Sequence, residues 1–450
     1  MISRLESRFV NTVSRFSLAV LRLAARALVP EWIRTTLYPC MPFRIRARLT
    51  PLVMPRVLFV GDCYYNFWFL SRELRKLGWT ADTLRTSRSE SDRIFLHDAD
   101  VTFRYRGVLD KLRHWAFFLK AIWRYDAFHF YGVRNIRFFH RGFDWTLSQV
   151  FPENWEVRLL RVLGKRVVYM AVNCVDGALQ SSMLGLSGEV PCGACRWHDV
   201  PEVCSDATIA AWSEARNHLV DAIVGFGLCH KDYNATPQLR EIPEAFCLDP
   251  GFWYPELMVP TNFRLPLPEN AIVLYHSVGN FELRSDRNTK HNIKGTHVYL
   301  DVVKKLKLAG YPVELAFFQS VPNRNVRFYQ LQADIVVDML EFGWYGANVR
   351  EAMMLGKPVV CYIRPEWLEE VDWQNPGFAD ELPIVSATPD TVYDVLVNLI
   401  EHPEKRAEIG RRSREFAVKW HSAEAGARRM AALYLEVLGA QDDPTGNSIS

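Results

Sequence analysis

The chain has 450 residues, of which 49% are hydrophobic and 23% charged. This length predicts two domains with large cores, and the composition excludes a disordered chain. The formal net charge of +3 is unevenly distributed, because residues 1–50 contain nine Arg and two acidic residues, a net +7. The remaining 45 basic and 49 acidic residues give −4. A slightly acidic body does not fit a general nucleic-acid-binding protein.

An Arg-rich segment opens the sequence and forms a predicted amphipathic N-terminal arm, residues 1–54. Apolar residues recur with helical spacing from Leu5 to Leu23, and arginines interrupt every long apolar run. No stretch therefore approaches the roughly 20 apolar residues that cross a bilayer. The pattern favours a helix lying on an anionic membrane surface. Packing against the body and a role as a transit peptide are the alternatives.

Apolar runs and helical patterns alternate after the arm, which predicts a parallel α/β domain over residues 55–255. No G-x-G-x-x-G follows the first strand, and this disfavours a nicotinamide dehydrogenase. Helices are predicted over residues 64–78, 109–125 and 155–164. Strands are predicted over residues 56–62, 79–84, 126–131, 165–171 and 221–226.

A Pro-rich linker is predicted over residues 248–268. Alternating apolar runs and helical patterns begin again after it, so residues 256–438 form the second predicted domain. Residues 439–450 are predicted to be a flexible tail. Two such domains place their strand ends, and any ligand, in a common cleft. Helices are predicted over residues 298–309 and 347–355. Strands are predicted over residues 271–275, 313–318, 334–338 and 358–363.

The strongest chemical signal lies in residues 333–363. A strand ends at Asp338, a loop from Gly343 to Gly346 follows, and the next helix carries Glu351. Glycines let a backbone approach a ligand closely, and a helix N-terminus suits a phosphate. The Glu351 carboxylate suits the vicinal hydroxyls of a ribose. A plain αβ unit with a capping loop is the alternative.

The run from Glu351 to Val360, preceded by Gly343, resembles the donor-binding segment of family 4 (group 1) glycosyltransferases. Lys294-Gly295-Thr296 resembles the Lys-Gly step that opens the first helix of their C-terminal domain. The resemblance covers roughly residues 271–438 and implies the GT-B fold, two Rossmann-like domains facing a cleft. It further implies retaining transfer of a hexose-type sugar from a nucleotide sugar to a cell-envelope saccharide or lipid-linked acceptor, with no metal or other cofactor.

The resemblance also implies roles for individual residues. Lys294 would contact the donor diphosphate, Glu351 the ribose, and His129 the donor sugar, and these are the predicted catalytic residues. A satisfied core histidine is the alternative for His129. Gly61 and Asp62 are predicted to bind the acceptor. Donor binding is predicted for Lys294 and Glu351 together with His276, Ser277, Arg287, Lys290, Gly295, Gly343, Tyr345 and Gly346.

Gly343 stands where the family pattern usually has a second Glu. This departure favours the alternative function, a non-catalytic protein that binds a nucleotide sugar or glycan and serves assembly.

The cysteines indicate whether the protein binds a metal and in which compartment it resides. Cys192, Cys195 and Cys204 are weak candidates for a zinc site, and a loop over the acceptor side, residues 172–207, is the favoured interpretation. Nine Cys without a convincing secretory signal predict reduced thiols in the cytoplasm, with the arm at the inner face of the membrane.

Overall fold

The computed structural model contains two parallel β-sheets, each flanked by helices. Within the part of the chain that it describes, no helix is long and apolar enough to cross a membrane. Most of the predicted arm and the tail from residue 440 lie outside the described residues. The described residues are 41, 43, 45–46, 54–61, 64–86, 98–103, 107–139, 153–186, 192, 195, 197–227, 232, 236–279, 281–285 and 291–439.

The first half is built on a seven-stranded sheet of order β3-β2-β1-β4-β5-β6-β7, in which every pairing is parallel. Its strands are β1 (Arg56–Val60), β2 (Thr80–Thr86), β3 (Val101–Phe103), β4 (Ala127–Tyr131), β5 (Arg166–Met170), β6 (Ala222–Gly225) and β7 (Leu239–Glu241). Its helices are α1 (Asn66–Lys76), α2 (Val108–Arg124), α3 (Trp155–Val162), α4 (Gln180–Leu184) and α5 (Asp206–Leu219).

The central strands form where apolar residues run without interruption. Val57, Leu58 and Phe59 of β1 are fully buried, and β4 and β5 continue the same pattern on the next strands. Parallel strands with helices on both faces must be apolar on both faces, so they lack the alternation of a half-exposed strand.

The second half has a four-stranded parallel sheet of order β11-β10-β8-β9. Its strands are β8 (Ile272–Val278), β9 (Val313–Gln319), β10 (Ile335–Val337) and β11 (Val359–Val360). Its helices are α6 (Phe281–Arg284), α7 (Thr296–Leu308), α8 (Asn323–Gln330), α9 (Ala347–Met354), α10 (Pro365–Asp372), α11 (Phe378–Glu381), α12 (Val392–Glu401), α13 (Pro403–His421) and α14 (Ala423–Leu438).

The chain crosses between the halves twice, at neighbouring positions. The Leu248 N–H donates to the His421 carbonyl and the Ala423 N–H to the Leu248 carbonyl, both over 2.7 Å. After the second crossing α14 packs against α1 of the first half. A Cβ at Gly426 would lie 2.4 Å from the Glu244 carbonyl oxygen, so this glycine permits the close approach.

The predicted fold class, two doubly wound parallel sheets, is confirmed. The short strands β3 and β7 were not predicted, because a three-residue strand carries little periodic signal. The helix α5 was also not predicted. The last helix lies in the segment predicted as the second domain but packs on the first half.

Candidate functional site

The carboxyl ends of β8 and β10 face the loops that lead into α7 and α9, and those predicted donor residues that the structure describes lie on these strands, loops and helices. Gly295 is the residue before α7 and has a φ of +68°. A Cβ at this position would lie 3.0 Å from the Leu340 Cβ, so the loop can pass close to the end of β10 only with glycine here.

Lys294, immediately before Gly295, forms a buried ion pair with Asp338, which follows β10. The Lys294 Nζ contacts Asp338 Oδ1, and the two side chains are only 10% and 1% exposed. Asp338 Oδ2 has no hydrogen-bond partner among the described residues. The carboxylate therefore fixes the ammonium group at the edge of the sheet where a diphosphate is expected.

The conformation of the loop before α9 favours glycine at position 343. Gly343 has a φ of +85°, and a Cβ there would lie 2.8 Å from the Arg364 Cζ. The Arg364 N–H also donates to the Gly343 carbonyl over 2.8 Å. A glutamate side chain at 343 would therefore strain the backbone and meet a buried guanidinium group. Sequence analysis missed Arg364, which lies beyond the following strand.

Glu351 lies on α9 and is almost fully buried, with two neighbours that hydrogen-bond to the same oxygen. Its Oε1 accepts from the Tyr65 hydroxyl and from Asn323 Nδ2, each over 2.8 Å. Burial raises the pKa of Glu351 to about 7, although both hydrogen bonds act to lower it. Tyr65 belongs to the first half, so this carboxylate connects the two halves.

Ser277 and the N-terminal end of α9 meet at the end of β8. The Ser277 hydroxyl donates to Asn348 Oδ1 over 3.2 Å, and Gln330 Nε2 donates to the same oxygen over 2.9 Å. Gly346 precedes the helix with an extended backbone, and a Cβ there would meet only Met339 Cε, 3.7 Å away. These contacts place Ser277 and Gly346 at one helix N-terminus.

Tyr345 directs its side chain away from that helix end. Its hydroxyl lies 2.8 Å from His421 Nε2, and the ring is buried. Only the backbone of Tyr345 therefore belongs to the candidate site.

The side chain of His276 lies inside the fold, and its contact with the donor stays a prediction. His276 is fully buried, with Nδ1 3.0 Å from the Val337 carbonyl and Nε2 2.9 Å from Thr296 Oγ1. Burial and the nearby Lys294 lower its pKa to about 4, so the ring is neutral. His276 instead joins β8, β10 and α7.

His129 is a core residue but not a satisfied one, because its buried Nε2 has no hydrogen-bond partner among the described residues. Its predicted contact with the donor sugar stays a prediction. The ring is fully buried beside Phe59 and Phe67, and Nδ1 lies 2.7 Å from the Tyr434 hydroxyl on α14. Burial lowers its pKa to about 3. His129 thus helps to attach α14 to the first half.

The remaining predicted residues divide between described and undescribed positions. Gly61 follows β1 with a φ of +85°, and its N–H donates to the Leu84 carbonyl over 2.9 Å. Asp62, Arg287 and Lys290 lie outside the described residues.

The cysteines of the segment 172–207 are free thiols. Cys174 and Cys192 pack in a small apolar cluster with Ala178 and Met183. Burial raises the pKa of Cys192 to about 11, which keeps this thiol protonated at neutral pH. Across the described ranges, no three His, Cys, Asp or Glu side chains are grouped so that they could hold a metal ion.

Comparisons with known proteins identify the fold. No family model matches the chain, and no curated protein matches it in sequence. Among solved structures, HepE of Anabaena in complex with UDP-glucose superposes with a TM-score of 0.51 at 12% identity, over 85% of this chain and 100% of that one.

Two further solved structures are similar. Sucrose-phosphate synthase of Thermosynechococcus elongatus has a TM-score of 0.52 at 15% identity, and a glycosyltransferase of Rickettsia africae has 0.51 at 10%. Each superposition covers 86% of this chain and 100% of the other chain. The chain therefore has the GT-B fold of these glycosyltransferases.

Proposed function

We propose that the protein is a retaining glycosyltransferase of the family 4 type, which transfers a hexose-type sugar from a nucleotide diphosphate sugar to a cell-envelope saccharide or lipid-linked acceptor. The observation that carries the proposal is the convergence of Lys294, the loop from Gly343 to Gly346 and the N-terminus of α9 at one sheet edge. In HepE the same fold binds UDP-glucose, which supports this donor class.

The groups at this sheet edge stabilise the negative charge that develops on the leaving nucleoside diphosphate. When the bond between the anomeric carbon and the phosphate oxygen breaks, the electron pair stays on the nucleoside diphosphate. The Lys294 ammonium and the backbone N–H groups at the start of α9 stabilise that negative charge. The acceptor hydroxyl attacks the same face of the sugar, and its proton passes to the leaving phosphate oxygen. No metal enters this scheme.

In this proposal the N-terminal arm determines where in the cell the enzyme acts. Its arginines hold the enzyme at the cytoplasmic face of a membrane, where a lipid-linked acceptor is presented.

A panel of nucleotide sugars tests the enzyme, with release of nucleoside diphosphate as the readout. Removing a group that stabilises charge in a transition state costs about 100-fold or more in rate. We expect that loss in Lys294→Ala and no change in Lys307→Ala, an exposed lysine paired with Glu314. The anomeric configuration of the product, read by NMR, tests retention.

The second candidate function is non-catalytic binding of a nucleotide sugar, and the glycine at position 343 favours it. Binding of a donor without turnover, across the panel and with lipid-linked acceptors, would establish it and refute the enzyme.

A further inference from the structure

Helix α2 exposes a continuous apolar stripe on the outside of the first half. Its five large side chains expose between 55% and 70% of their surface to solvent, whereas exposed helix faces are usually polar. The stripe comprises Val108 (70% exposed), Leu109 (70%), Leu112 (59%), Leu119 (55%), Trp123 (55%) and the exposed Ala116.

The stripe lies opposite the face that α2 uses for folding. Phe118, Ala121 and Ile122 are buried against the sheet. At 3.6 residues per turn the six stripe positions fall within an arc of about 100° and extend over about 22 Å. These side chains therefore do not pack in the core of the first half. A large exposed apolar patch generally marks an interaction surface.

Positive charge surrounds the stripe. Lys111, Arg113, Lys120 and Arg124 belong to α2, which contains one acidic residue, Asp110. Arg113 is 73% exposed and lies 3.6 Å from Asp110, while Arg124 is 45% exposed and contacts Asp82. The helix has a net charge of +3 from these five residues. An anionic partner complements this surface.

Arg46, one of the few described residues of the Arg-rich segment, lies next to the same helix. The Arg46 guanidinium forms a buried ion pair with Asp126, two residues after the end of α2. Residues 1–50 carry a net charge of +7, so an anionic surface attracts this segment of the sequence as well as α2.

We propose that the outer face of α2 is a docking surface for an anionic lipid bilayer. The helix lies parallel to the membrane, with its leucines and valine below the headgroups and Trp123 at the interface. The flanking lysines and arginines extend to the lipid phosphates. This surface is separate from the arm, and its existence does not depend on transferase activity.

Vesicle binding by the full-length protein tests the surface. The probes are phosphatidylcholine vesicles with and without about 30 mol% phosphatidylglycerol. The test variant is Leu112→Glu/Leu119→Glu. The matched control is Leu300→Glu/Leu308→Glu, which places the same charges at exposed positions of α7 in the second half (50% and 80% exposed).

We expect wild type and control to sediment with the anionic vesicles, and the test variant to bind about tenfold more weakly or worse. Equal binding by the test variant, equal binding to both vesicle types, or no binding by wild type would overturn the proposal. A change of oligomeric state in the test variant without lipid would also overturn it, in favour of a second copy of the chain. If the double variant fails to fold, the vesicle binding of Leu119→Ser is compared with that of wild type instead.

Discussion

Replacing Tyr65 by Phe tests whether Glu351 takes part in nucleotide binding. The Tyr65 hydroxyl donates to Glu351 Oε1 over 2.8 Å and occupies the carboxylate proposed to bind the donor ribose. A hydrogen bond to a charged group contributes about 1.5–3 kcal/mol. A nucleotide that takes this carboxylate must first break the bond, so the bond lowers the apparent affinity.

We expect Tyr65→Phe to lower the Kd of uridine diphosphate by about tenfold, which corresponds to about 1.4 kcal/mol. Isothermal titration calorimetry at pH 8, where Glu351 is mostly ionised, measures this change. The matched control is Tyr434→Phe, which removes another buried hydroxyl, 2.7 Å from His129 Nδ1 and distant in sequence from the donor residues. An unchanged or larger Kd in Tyr65→Phe would refute the displacement and with it the ribose contact of Glu351.

The same variant changes how stability depends on pH. The folded-state pKa of Glu351, about 7, lies above its ordinary 4.5, so the protonated form is favoured by folding. Protonation of Glu351 contributes about 3 kcal/mol to the free energy of unfolding. This contribution is present below pH 4.5 and is lost as the pH rises through 7. Because Tyr65 favours the ionised form, Tyr65→Phe should extend this loss to higher pH. Melting temperatures from pH 5 to 9 measure the shift.

Three further predictions concern burial and strain. Lys294→Ala should destabilise the protein by about 3–5 kcal/mol, because Asp338 is left charged and unpaired. Adding Asp338→Asn should restore the melting temperature but not turnover, and recovery of turnover would contradict the role of Lys294. Gly343→Ala should lower the melting temperature by several degrees through strain of about 1–2 kcal/mol, whereas Gly346→Ala has room and should change it little. Burial raises the pKa of Glu241 to about 8, so its protonation stabilises the fold below that pH. Glu241→Gln should therefore raise the melting temperature at pH 9 and change it little at pH 6, and an equal gain at both would contradict this.

Periodicity made the main elements predictable, and proximity in sequence made part of the site predictable. Gly343, Gly346 and Glu351 belong to one strand–loop–helix unit, so their spacing alone brings them to one sheet edge. His129 and His276 show the limit of this reasoning. Strands covered on both faces are apolar throughout, so the sequence does not reveal which side chains leave the core at the strand end.

Contacts between distant segments lay beyond sequence reasoning. Tyr65 and Glu351 are 286 residues apart. Arg364 belongs to the loop after β11, yet it fills the space beside Gly343. Both contacts depend on the way in which separate αβ units pack, and no local pattern encodes that.

The paired crossings at Leu248 and His421–Ala423 restrict how the two halves can move. Because the two segments of chain are hydrogen-bonded to each other, they form one connection and not two independent tethers. Sliding of one half past the other would break this pairing. A chain ended before α14 would lose both the second crossing and the cover over α1, so the first half is not an autonomous unit.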